Sequence, residues 1–273
     1  MKSEMVVRSL DGSTERTMQV PQIFQTSFRP EVIHRVYVNL LSHKFQKQGR
    51  YPAAGELVSA ESRNTGLGIA RLARIRGQGF SRAGQAAAVA GVRAGRVAHP
   101  PESWKVIYKK INKKERRLGL CSAIAATSRK DLIEGRGHHV EGISEFPIVA
   151  SDAIESITKT QDLQKTLIAF GLARDLSRAS GSNKKITESG KKGTGGKRGG
   201  TCALIVVRRG SRIARLSNSV PGVDVKDIES LSVLDLAPGS KPIRLTIFSE
   251  GALEYLVQFK TKNQDNTDSE IKT

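Results

Sequence analysis

Seven arginines fall between Arg63 and Pro101, with no lysine and no acid among them. They are Arg63, Arg71, Arg74, Arg76, Arg82, Arg93 and Arg96, separated largely by glycine and alanine. The lysine-free stretch runs from Gln48 to Trp104, although lysine is common elsewhere. This bias has a chemical reading. A guanidinium is planar, donates paired hydrogen bonds to phosphate oxygens and stacks on bases, whereas an ammonium does neither. Glycines let the backbone approach a partner closely. A solvated linker has no reason to exclude lysine and acid, so these arginines, with Arg50 and His99, are expected to contact phosphate.

Two further basic stretches extend the expectation. "KVIYKKINKKERR" (105–117) carries seven Lys/Arg and one acid; Lys113, Lys114, Arg116 and Arg117 join the same anion-facing set. "SGKKGTGGKRGG" (189–200) resembles a nucleotide phosphate loop but fails on detail. Five residues separate Gly190 from Gly196-Lys197 where that loop has four, and Arg198 stands where a Mg²⁺-binding hydroxyl belongs. Lys191, Lys192, Lys197 and Arg198 are therefore expected to face RNA.

No catalytic constellation emerges. His138 and His139 are adjacent and lack a third ligand, and Cys121 and Cys202 make no metal-ligand spacing. No Ser or Cys sits in a nucleophile elbow. "GLG" (66–68) and "GQG" (77–79) lack the later glycine of a dinucleotide fingerprint, since Arg71 and Arg82 stand there. No catalytic residue, metal or cofactor is assigned.

The whole chain agrees with a polyanion partner. Its 273 residues carry a net charge of +19 and a pI near 10.2, an excess that repels itself unless nucleic acid offsets it. The basic runs lack the apolar face of an interfacial helix, no apolar run approaches 18 residues, and the start has no apolar leader. A cytoplasmic protein without a membrane partner is expected. Aromatics are only 5%, which favours folded RNA read by shape and phosphate over a single strand laid on rings.

The elements that must position these residues follow from local pattern. Asp11-Gly12 marks a turn between two strands. Pro30 opens a helix with Ile33, Tyr37, Leu40 and Leu41 on one face. Regular patterning fails from about 47 to 104. Asn112 and Glu115 have capping-box spacing ahead of a helix with Leu118, Cys121, Ile124 and Ala125 on one face. "FPIVAS" (146–151) is a buried strand. "TQDLQKTLIAFG" is a helix capped by Thr160 and ended by Gly171. "ALIVV" (203–207) is a run of the kind a parallel sheet buries on both faces. A helix near 211–217, strands near 223–227 and 244–248 and a helix from Glu250 complete the alternation. The expected fold is α/β, a three-layer-like globular domain with a mostly parallel central sheet. Inserted in it are a long extended loop (45–104) and a second basic loop (180–200), with a frayed tail (261–273).

In this order the features resemble the large-subunit ribosomal protein four family (L4/L1e), in its archaeal and eukaryotic-like form. The resemblance rests on "GRVAHPP" (95–101), "INKKERRLGLCSAIAATS" (111–128), "GKRGG" (196–200) ahead of a buried strand, "NSVPGVDVKDIESLSVLDLAPG" (218–239) and "RLTIFSEGALEYL" (244–256), and covers about residues 5–260. The chain lacks the long basic C-terminal extension of the eukaryotic cytosolic form, which points to an archaeal source. The resemblance implies a non-enzymatic protein of the large ribosomal subunit, not a homo-oligomer. Its implied partners are large-subunit rRNA, neighbouring large-subunit proteins and the nascent polypeptide. It also implies a role in subunit assembly and a long loop whose tip helps line the peptide exit tunnel. Here that loop is about 45–104 and its tip Arg74, Ile75, Arg76, Gly77, Gln78, Gly79 and Phe80. A general RNA chaperone and an α/β enzyme acting on RNA or nucleotide are the competing readings.

Overall fold

The computed structural model describes residues 4–143, 145–181, 184–185, 197–198, 200–241 and 243–257. The chain divides into two compact units, one made of 1–41 with 110–273 and the other of 42–109.

The first unit, the body, is built on a six-stranded sheet. Its strands are β1 (Glu4–Arg8), β2 (Thr14–Gln19), β3 (Ile148–Ala150), β4 (Leu204–Val207), β5 (Asp224–Asp227) and β6 (Thr246–Ser249). Their spatial order is β2-β1-β3-β6-β4-β5. Every pairing is parallel except the β1–β2 hairpin at one edge. Gly12 turns that hairpin at φ 83°, a conformation open to glycine.

Helices cover both faces. They are α1 (Pro30–Ser42), α2 (Lys113–Ala126), α3 (Lys130–Gly135), α4 (Thr160–Ala169), α5 (Ala173–Gly181), α6 (Val233–Leu236) and α7 (250–257). Leu204 and Val206 point into a core with Ile33 and Val36 of α1, Ala123 and Ile124 of α2 and Leu253 of α7. Ile205 and Val207 point the other way, to Leu163 and Leu167 of α4 and Ala179 of α5. A strand buried on both faces needs apolar residues at every position, which is why "LIVV" does not alternate.

Several local expectations are corrected. Asn112 precedes α2 but makes no side-chain cap bond; Glu115 instead reaches Arg35 of α1 at 3.0 Å. Leu118 is exposed, and α2 buries Gly119, Ser122, Ala123, Ile124, Ala125 and Ala126. The reason is close helix contact, because a Cβ on Gly119 would lie 2.7 Å from Val36 Cγ2. Large side chains cannot occupy that seam. Thr160 is the first residue of α4 rather than its cap. The 211–217 segment is a 3₁₀ turn, Arg212–Leu216. The 47–104 stretch is also not without regular structure, since Ala60–Ser62 pairs antiparallel with Ala73–Ile75.

Candidate nucleic-acid interface

The 42–109 unit is closed in three places along its length. At its root, Lys109 N–H donates to Ser42 Oγ at 2.8 Å, and the His43 ring meets Tyr108 edge-on at 5.8 Å. Gly49 lies so close to Ser103 that a Cβ would sit 2.9 Å from its nitrogen. Midway, Gly55, at φ 82°, approaches Gly95 O within 2.8 Å of where a Cβ would stand. At the far end a ribbon forms around the Ala73–Ile75 strand. Ile75 N–H donates to Gln85 O at 3.0 Å and Ala87 N–H to Ala73 O at 2.9 Å. Ile75 and Ala87 are the buried hydrophobic residues of this unit. A core that small leaves the rest of the unit to hydrogen bonds and solvent.

The expected phosphate-binding arginines fall into two groups. Five bond within the unit. Arg50 donates to Ala54 O at 2.7 Å, Arg74 to Gly84 O at 2.9 Å and Arg82 to Arg93 O at 3.4 Å. Arg76 pairs with Glu61, and Arg96 with Glu56 at 3.3 Å. Three others, Arg63, Arg71 and Arg93, are exposed and their side chains have no partner among the described residues, as does His99. Sequence spacing could not separate these groups, because the acceptors, three carbonyls and two carboxylates, are brought close by the folding of the unit.

The residues expected at the tip are likewise divided. Arg74 and Ile75 lie in the central strand of the ribbon, and Gly77, Gln78, Gly79 and Phe80 form an exposed turn at one end of it. At the ribbon's other end the connector 63–72 is exposed throughout and carries Arg63 and Arg71 beside Leu67, Ile69 and Leu72.

On the body, Lys113, Lys114, Arg116 and Arg117 are all exposed in the first turns of α2. A helix N-terminus carries positive partial charge and favours acids there. Four cations in those turns, with Glu115 the one acid there, therefore work against the helix. Lys191 and Lys192 lie outside the described residues, as does the expected tail 261–273. Of the second basic loop, Lys184–Lys185 pairs antiparallel with Lys197–Arg198.

Among the described residues, no group of three His, Cys, Asp or Glu side chains could hold a metal ion, and no helix is long and apolar enough to cross a membrane.

Comparison with known proteins decides the family. Residues 18–259 match the sequence profile of the ribosomal protein L4/L1 family. The chain belongs to that family. It is 37% identical over 254 residues to the large ribosomal subunit protein uL4 of Methanoculleus marisnigri, covering 93% of this chain and 98% of that protein. It is 35% identical over 258 residues to the uL4 of Methanosphaera stadtmanae, covering 94% and 98%. For the uL4 of Pyrobaculum aerophilum the identity is 36% over 254 residues, covering 93% and 89%. The L4/L1 family is one of structural ribosomal proteins and not of enzymes.

In this L4/L1 chain, sequence reading missed the device that holds the roots of the second basic loop. Asp175 of α5 is fully buried. Its carboxylate accepts from His138 Nδ1 at 2.9 Å, Arg178 Nε at 2.8 Å and His139 N–H at 3.2 Å. Burial alone would push this carboxyl up, but the bonds from His138, Arg178 and the Cys202 thiol outweigh it and hold Asp175 well below the usual carboxylate range. Arg178 also donates to Thr201 O at 2.7 Å. Next to it, buried Arg244 donates to the carbonyls of Cys202 at 2.6 Å, Gly222 at 2.6 Å and Ala203 at 3.1 Å, and pairs with Asp224. The end of α5 and the start of β4, between which the loop hangs, are thus pinned to one buried network. Cys202 sits inside it, its thiol pushed up to about 12 by burial and by the Asp175 charge. The available signal was Arg244 itself, an arginine standing two residues ahead of the fully buried strand β6.

Proposed function

We propose that this chain is a structural constituent of the large ribosomal subunit. It binds folded large-subunit rRNA, supports subunit assembly, and helps line the nascent-peptide exit tunnel with the far end of its 42–109 unit. It works in the cytoplasm and not as a homo-oligomer, among neighbouring large-subunit proteins and in contact with the growing polypeptide. The body is one α/β domain; the loop expected at 45–104 threads RNA, and the 180–200 loop makes a second contact.

The observation that carries this reading is the charge left over on a unit with almost no core. Residues 42–109 hold twelve Lys/Arg and three acids, and two of those acids, Glu56 and Glu61, are already neutralised by Arg96 and Arg76. Of the arginines and histidine expected to contact phosphate, Arg63, Arg71, Arg93 and His99 are the side chains without a partner among the described residues of the unit. Arg50, Arg74, Arg76, Arg82 and Arg96 shape the loop while leaving donors for RNA. Lys113, Lys114, Arg116 and Arg117, with Lys191, Lys192, Lys197 and Arg198, extend the contact on the body. The tunnel-facing end comprises the Arg74–Phe80 segment together with the exposed 63–72 connector. With on the order of ten phosphate contacts, log K should fall against log salt with a slope of about −7 to −9.

The test is sedimentation of the tagged protein from its own cells through a high-salt sucrose gradient. A threaded component stays with the large subunit. Release to the top of the gradient would overturn the reading and favour a chaperone held by charge alone.

A further inference from the structure

The 42–109 unit carries a second kind of side chain that charge does not explain. Phe45, Tyr51, Trp104 and Tyr108 are 56%, 64%, 65% and 50% exposed. They lie on the two segments, 42–51 and 102–109, that come together at the root of the unit through Ser42–Lys109 and Gly49–Ser103. The body treats its rings differently. Phe24 and Phe248 stack edge-on at 6.0 Å inside the core, Phe170 is fully buried, and Phe28, Tyr37, Phe146 and Tyr255 pack against the two cores. Four large rings left in water at one place in so polar a chain mark a surface meant to be covered.

What covers it can be read from the neighbours. Each ring is next in sequence to a cation, in the pairs Lys44-Phe45, Arg50-Tyr51, Trp104-Lys105 and Tyr108-Lys109. With Lys47, the two segments hold five cations against Glu102 alone. An apolar pocket on another protein would have to desolvate those charges or supply a matching acid for each. A nucleotide matches the pattern directly, because every unpaired base brings a flat face for the ring and a phosphate for the cation beside it. His43 holds Tyr108 from one edge and also bonds Lys109 O at 3.0 Å, so one ring is already set in place.

We propose that the root of the 42–109 unit is a base-stacking site, in which Trp104, Tyr51, Phe45 and Tyr108 take unpaired bases of the bound rRNA while the adjacent cations hold the flanking phosphates. This rests on the RNA-binding reading above and adds to it a contact that does not depend on counterion release. The partner is then not read by shape and phosphate alone, as the low aromatic content suggests.

Trp104 is the single tryptophan of the chain, so it reports on itself. The full-length protein is titrated with in vitro transcribed large-subunit rRNA, and in parallel with heparin, a polyanion without bases. RNA quenches the Trp104 emission and heparin does not. Trp104→Leu weakens RNA binding roughly tenfold, within the range for losing one stacked base, and leaves the salt slope unchanged because no cation is lost. Trp104→Phe restores most of the affinity. If RNA binds at full strength while Trp104 stays bright, or if Trp104→Leu binds like the parent, the stacking site is wrong and the rings dock a protein instead. If RNA does not bind at all, the RNA-binding reading itself fails.

Discussion

The body and the 42–109 unit use the same residue type in opposite ways. In the body, Arg244 is 2% exposed and surrounded by three carbonyls and a carboxylate, and Arg178 closes on buried Asp175. There the guanidinium is internal scaffold, and removing a partner strands buried donors. In the 42–109 unit, Arg63, Arg71 and Arg93 stay in water without partners among the described residues, while Arg74 and Arg82 reach only to nearby carbonyls. An arginine becomes scaffold where the chain supplies acceptors out of water, and becomes reach where it does not. The aromatics divide the same way, buried in the body and exposed in the insertion.

Breaking the scaffold side should produce the largest effect. Asp175→Asn leaves the donors of Arg178 and His139 facing a neutral amide and is expected to cost about 3–5 kcal/mol of body stability, the range for removing one partner of a buried ion pair. Thermal or urea unfolding measures it. The same carboxyl gives a pH signature. Because Asp175 is held below its ordinary value, its stabilisation is complete above about pH 4 and is lost as pH falls below that, towards its folded-state value. The asparagine variant should therefore lose less stability than the parent on acidification over that window. A parallel loss in both proteins would move the acid sensitivity elsewhere.

A smaller effect tests whether the body is as tightly packed as its burial pattern says. Gly119→Ala places a methyl against Val36 in the α1–α2 seam, and overpacking of this kind costs about 1–3 kcal/mol. A stability equal to the parent's would mean that α2 can slide away. The smallest effect on stability belongs to the reach side. Arg63→Ala combined with Arg71→Ala should leave the melting temperature unchanged and flatten the salt slope of RNA binding by about 1–2. An unchanged slope would return both residues to plain solvent exposure.

What the sequence discloses follows the range of the interaction. The Asp11-Gly12 turn, the Pro30 helix start and the doubly buried "LIVV" strand depend on neighbours in the chain, and each is present in the fold. The alternation of strands and helices carried the sheet class with it. Expectations failed where a distant residue competes. Glu115 has the spacing to cap α2, yet in the fold it pairs with Arg35 of α1. Leu118 has the period of a core residue, but the helix seam needs the small Gly119 beside it. Asp175 reads as one more charge on a polar helix until His138, 37 positions earlier, is placed on top of it. For the candidate site, composition pointed to the basic stretches, but which arginines bond within the loop depends on turns that Gly55 and Gly77 allow at positive φ. Local pattern does not encode those closures.

The closed root of the insertion has one more consequence. The chain departs at Ser42 and returns at Lys109 within a hydrogen bond of where it left. Beyond that point the excursion is topologically a pendant loop, and its contour length is decoupled from the register of the sheet. Doubling such a loop costs only about 0.6 kcal/mol in closure entropy. Length is thus an independent variable of this insertion, which can be lengthened or trimmed while the α/β frame stays as it is.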